Sequence, residues 1–115
     1  MKVWWSTCIV ALSLPASGLA WIGPAIDILR GDANNDRTVG TADPVMIANW
    51  LFSGGSAPPC LAAADANDDG YVNVSDVTYL NAYLYQGGPA PASPFPNCGK
   101  DTTYDNLTCN TPSCP

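Results

Sequence analysis

The sequence contains no histidine and no glutamate; its ten acidic residues are all aspartate, set against four Lys and Arg. The missing histidine removes the one side chain whose ordinary pKa suits proton transfer near neutral pH. The shortage of cations, with a formal net charge of −6, argues against nucleic acid or an anionic membrane surface as partner. Large aliphatics are scarce as well: Leu, Ile, Val and Phe make up roughly 18% of residues 21–115, a level at which a charged chain stays disordered unless something else holds it. Ten Gly and eleven Pro exclude long uninterrupted helices. A length of 115 residues allows one small domain and no catalytic domain beside an accessory one.

Residues 1–20 read as a secretory signal peptide. Lys2 is a minimal basic start, Cys8-Ile9-Val10-Ala11-Leu12 forms the apolar centre, and Gly18-Leu19-Ala20 offers small residues for cleavage after Ala20, with Ala16 as the second choice. The uncharged run is broken by Pro15 and falls short of the ~20 residues a spanning helix needs, so no membrane attachment is expected after cleavage. The remainder, with a lead-in at 21–30, carries three cations against ten aspartates. It keeps Cys60, Cys98, Cys109 and Cys114, an even set that in an exported chain suggests two disulfides.

A shift of 33 residues superimposes the sequence on itself. Asp32-Ala33-Asn34-Asn35-Asp36 falls on Asp65-Ala66-Asn67-Asp68-Asp69, Val39 on Val72, Asp43 on Asp76, Leu51 on Leu84, and Gly54-Gly55 on Gly87-Gly88. Each repeat opens with a twelve-residue loop, D-x-N-x-D ending in a further Asp. A hard cation such as Ca²⁺ takes roughly six to eight oxygens, and alternate residues of a tightly wound loop turn theirs inward. The first candidate site is Asp32, Asn34, Asp36, the backbone carbonyl of Thr38, and Asp43. The second is Asp65, Asn67, Asp69, the carbonyl of Tyr71, and Asp76, with Asn73 binding directly or through a water where loop one has Gly40. Two Ca²⁺ ions are expected. At loop position 6, where the chain bends sharply, loop two has Gly70 and loop one has Arg37. Backbone strain and a like charge at Arg37 predict the weaker site there.

Each loop leads into an amphipathic helix. Segment 42–53 places Met46, Ile47, Trp50 and Leu51 on one stripe, and segment 75–86 does the same with Tyr79, Leu80, Tyr83 and Leu84. Trp50, Tyr79 and Tyr83 are expected in the core rather than on a sugar-stacking surface. The Gly-Gly pairs end both helices at the same phase. Val39 and Val72, at loop position 8, are placed to pair as a miniature β-bridge. Of the three pairings open to four cysteines, Cys60–Cys98 with Cys109–Cys114 is preferred, because Cys60 and Cys98 each follow the Pro-rich exit of a repeat. A Cys₄ zinc site is disfavoured by export and irregular spacing.

Before Asp65 there is room for only one helical turn, Leu61–Ala64, and before Asp32 Pro24 limits residues 25–30 to a turn and a half. Two tandem loops closing in Asp, each with an exiting helix and almost no entering one, resemble the type I dockerin module across residues 29–88. The resemblance implies a small, mainly α fold of two pseudo-symmetric calcium loop–helix units with antiparallel helices, spanning 31–92, followed by an irregular, disulfide-pinned Pro/Cys-rich tail at 93–115. It further implies calcium-dependent docking onto a cohesin-like protein, outside the cell or at its surface, through loop positions 10 and 11: Thr41-Ala42 and Val74-Ser75. The alternative is a self-associating structural subunit of an extracellular fibre or surface layer. Catalysis is not expected, because metal claims the loop aspartates and leaves Asp27, Asp68, Asp101 and Asp105 without an evident basic or nucleophilic companion.

Overall fold

The computed structural model describes residues 27–111 and 114; the expected signal peptide and most of the lead-in lie outside them. The element order is β1 (Asp27–Ile28), α1 (Ala42–Phe52), α2 (Leu61–Ala64), α3 (Val74–Tyr85) and β2 (Gly99–Lys100). Strands β1 and β2 pair antiparallel, Asp27 opposite Lys100 and Ile28 opposite Gly99. The regular structure among the described residues is therefore mainly helical. None of their helices is long and apolar enough to cross a membrane.

Both long helices stop as the Gly-Gly pairs predict. Gly54 and Gly87 adopt left-handed backbone, φ 73° and 69°. The amide of Gly55 then donates to Asn49 O at 3.0 Å and that of Gly88 to Ala82 O at 2.9 Å, satisfying carbonyls that a helix end leaves open.

The core between α1 and α3 is small: Ala33, Ile47, Ala64, Ala66 and Leu80 are buried, with Val39, Leu51, Val72, Val77 and Tyr79 packed against them. Three pairs in this group, Ala33 with Ala66, Ile47 with Leu80, and Val39 with Val72, are separated by the repeat length of 33. Repeat-equivalent positions thus line one core. The valines join it through their side chains; the expected bridge between their backbones is not formed, and the isolated bridge among the described residues is Cys60 with Cys109. Trp50, Tyr79 and Tyr83 are half-buried at the rim. Small alanines fill the centre and leave no room for wide rings. The aromatics instead receive the tail: Tyr79 Oη donates to Ala90 O at 2.7 Å, and Tyr83 meets Phe95 edge-on with ring centroids 5.5 Å apart.

Three further expectations need correction. The lead-in contributes the extended β1, because pairing with β2 satisfies its backbone more completely than an isolated helical turn could. The disulfides are Cys60–Cys109 and Cys98–Cys114, in place of Cys60–Cys98 and Cys109–Cys114. The tail runs back along the segment before α2, with Leu61 N donating to Thr108 O at 2.8 Å and Asn110 N to Pro59 O at 2.9 Å, and this brings Cys109 beside Cys60. Thirdly, acids set aside as companionless are paired: Asp68 and Asp101 with Arg30, and Asp27 with Lys100. A second buried group, Ile28, Cys60, Ala62 and Ala63 with Leu107 and Cys109 against it, lies where lead-in, α2 and tail meet.

Candidate metal centres

In each loop the sequence spacing closes a cage of backbone donors around inward carboxylates. In loop one, Asp32 Oδ1 accepts from Asp36 N (3.1 Å) and Oδ2 from Arg37 N (2.8 Å), and Asn34 Oδ1 accepts from Asp36 N (3.2 Å). Asp36 Oδ1 accepts from Thr38 N (2.9 Å), while Asp43 reaches back to take Asn34 N on Oδ1 (3.2 Å) and Gly40 N on Oδ2 (2.7 Å). Loop two repeats all six. Asp65 accepts from Asp69 N (3.2 Å) and Gly70 N (2.9 Å), Asn67 from Asp69 N (3.2 Å), Asp69 from Tyr71 N (3.0 Å), and Asp76 from Asn67 N (3.4 Å) and Asn73 N (3.0 Å). These are the bonds of successive Asx-turns, and they hold the carboxylates without exhausting the two lone pairs on each oxygen.

One oxygen from each of Asp32, Asp36 and Asp43 lies within 4.8 Å of the others, and the same holds for Asp65, Asp69 and Asp76. Asp32, Asp43, Asp65 and Asp76 are fully buried, whereas Asp36 and Asp69 face solvent. Burial pushes the Asp43 carboxyl up to about 6, despite N–H donors from Gly40 and Asn34. It pushes Asp65 up to about 7, with the charge of Asp76 adding to the rise. Asp32 and Asp76 also move upward, chiefly by burial. Asp36 moves downward, held by the Thr38 amide. Ion pairs among the described residues go to Asp27, Asp68 and Asp101, and none reaches these six carboxylates. Three acids converging on one point, two of them out of water, strongly favour a cation. An all-oxygen set free of nitrogen and sulfur suits Ca²⁺.

Side chains of Thr38 and Tyr71 are exposed, so the backbone carbonyl is what each can offer inward. Arg37 at position 6 has φ 69° and Gly70 has φ 89°, so the same bend is made by an arginine and by a glycine. Position 4 is left-handed in both loops as well, Asn35 at 65° and Asp68 at 57°, which the D-x-N-x-D spacing alone does not signal. Asn73 turns its Oδ1 to Ser75 N (2.9 Å) and caps α3, reciprocated by Asp76, so this oxygen serves the helix end. Gly40 in loop one has no side chain to do this. Of the residues at positions 10 and 11, Thr41, Ala42 and Val74 are exposed and Ser75 is half-buried. The Thr41 hydroxyl meets the Tyr85 hydroxyl, so the start of α1 lies against the end of α3. Ala42, Val45, Met46, Asn49 and Gly55 line a shallow apolar groove of about 350 Å³.

Residues 30–85 match the family model for the dockerin type I domain. The chain carries a type I dockerin-like module. No curated protein and no solved structure matches the chain. Dockerin domains are non-catalytic and dock proteins in a calcium-dependent manner, and both carboxylate cages lie within the matched residues.

Sequence reasoning missed one residue of this module. Arg30 is 1% exposed and lies against loop two, donating from Nη1 to Ala62 O (2.8 Å) and Asp65 O (3.3 Å), from Nε to Ser93 O (3.1 Å), and from Nη2 to Asp101 Oδ1 (2.9 Å). Nη2 also stands 3.4 Å from Asp68 Oδ1. A third grouping of acids, Asp65, Asp68 and Asp105, therefore has a guanidinium at its edge. The available signal was an arginine set directly after the apolar pair Ile28-Leu29, where a solvated cation is out of place.

Proposed function

We propose that the chain is a secreted calcium-binding docking module with two ions. One is held by Asp32, Asn34, Asp36, the Thr38 carbonyl and Asp43, the other by Asp65, Asn67, Asp69, the Tyr71 carbonyl and Asp76. Asn73 stands beside the second, where its Oδ1 caps α3 and a water is expected to complete the shell. The observation that carries this reading is the convergence, twice, of three carboxylates in a cage of six equivalent backbone hydrogen bonds. The two loop–helix units are taken as pseudo-symmetric with antiparallel helices, supported by the repeat-related core pairs and by the contact of Thr41 with Tyr85. Residues 31–92 form the module and 93–115 its tail.

Thr41, Ala42, Val74 and Ser75 form the face offered to a cohesin-type partner outside the cell, and the two disulfides suit that compartment. Self-association into a fibre or surface layer is the competing reading, favoured by Val45 and Phe52, 51% and 69% exposed on α1. Size-exclusion chromatography with light scattering, in calcium and in EDTA, separates the two. A monomer in both supports docking, and calcium-dependent polymers support the structural subunit. Far-UV circular dichroism tests the metal itself: chelator and reductant together should remove most of the helical signal, because so small a core relies on ions and disulfides for folding. An unchanged spectrum overturns the calcium reading.

A further inference from the structure

We propose that Arg30 and Asp101 are positioning residues for the calcium ion of loop two, which makes the C-terminal tail a working part of that one site. This rests on the calcium reading above. A buried guanidinium is costly unless its donors are satisfied, and here they are distributed between a loop and the tail. On the loop side, Arg30 holds the carbonyl of Asp65, whose side chain is the first ligand, and faces the carboxylate of Asp68. Asp68 carries the left-handed turn between the ligands Asn67 and Asp69, and its amide returns to Asp65 O at 3.2 Å. On the tail side, Arg30 holds Ser93 O and Asp101 Oδ1. The tail closes the circuit: Thr103 N donates to Asp101 Oδ1 at 3.1 Å, Thr103 Oγ1 donates to Asp68 Oδ2, and Ala92 N donates to Ala66 O at 3.0 Å.

Among the described residues, loop one has no such brace. Asn35 stands where loop two has Asp68, and among the described residues its side chain makes no hydrogen bond. Residues that orient a metal-binding group from outside usually matter to affinity, so loosening the tail should be felt at loop two and spared at loop one. Linkage makes the effect reciprocal, with calcium at loop two holding the tail in place.

The test uses the full chain in two backgrounds, Asp43→Ala, which leaves loop two, and Asp76→Ala, which leaves loop one. Calcium is titrated by calorimetry into each, with and without Asp101→Asn. The expected result is about a tenfold loss of affinity in the first background and little change in the second. Equal losses in both would mean that Asp101 serves only general stability, and no loss in either would mean that the tail does not reach the site; each overturns the proposal. If neither parent binds calcium, the calcium reading itself falls and this inference with it. Should Asp101→Asn fail to fold, Thr103→Val, at an exposed position, is judged by the same contrast. A loss confined to loop two supports the proposal, and any other pattern overturns it.

Discussion

The two loops share their interior hydrogen bonds and differ in the residue at the bend, in the cap of the helix that follows and in what holds them from outside. Among the described residues, loop one makes its position-6 bend with Arg37, enters α1 through Thr41 without a side-chain cap, and leaves Asn35 unbraced. Loop two bends at Gly70, caps α3 with Asn73, and is held from outside by Arg30 and the tail. Equivalent ligands should give similar attraction to a cation. What separates the sites is the free energy needed to hold the ligands in place without one. On the proposed calcium reading, these differences in backbone conformation, capping and tertiary bracing are expected to give the two cages unequal affinity.

The largest expected effect comes from deleting a closing carboxylate. Asp76→Ala should abolish the tighter phase of a calcium titration and Asp43→Ala the weaker one, each by about a hundredfold or more, since a ligand and two backbone hydrogen bonds are lost together. If Asp43→Ala removes the tighter phase, the ranking of the loops is reversed.

Next in size is the pH dependence. Without a cation, carboxyl pKa values raised by folding stabilise the fold most at low pH, and this contribution is lost as pH rises from about 4 through the folded values near 6 for Asp43 and 7 for Asp65. In EDTA the melting temperature should fall across that window. Calcium competes with the same protons, so its affinity should rise there, levelling off above about pH 6 for loop one and above about pH 7 for loop two. A chelated protein that becomes more stable between pH 5 and 7, by thermal melts, would contradict the burial of these groups.

The smallest effect isolates the bend. Arg37→Gly relieves left-handed strain of about 1 kcal/mol and removes a cation near the ion, so it should tighten loop one by about fivefold and narrow the gap between phases. Weaker binding in that variant would show that the guanidinium assists the loop.

Much of this comparison is legible in the sequence. The contact of Asp32 with Asp43, the Gly-Gly pair that ends each helix, and the residue at the bend of each loop, Arg37 or Gly70, all act on partners within a dozen residues, where spacing alone decides which groups can meet. Helix limits were close, 42–52 and 74–85 against the expected 42–53 and 75–86. The aromatic stripe was harder to place. Periodicity marks which face turns inward, but whether Trp50 or Tyr83 reaches the centre depends on the alanines opposite and on a tail that claims Tyr83.

What the sequence by itself determined is the local chemistry: the two cages, the bends that shape them and the glycines that end each helix, all set by short-range backbone geometry. What only the tertiary structure decided is the partnership of residues far apart: Arg30 with Ser93 and Asp101, β1 with β2, Cys60 with Cys109. The tail has no apolar period and no repeat from which its path could be read. Its course was fixed by what it covers: a buried arginine whose donors need acceptors, and the backbone of the segments before α1 and α2, which needs hydrogen-bond partners.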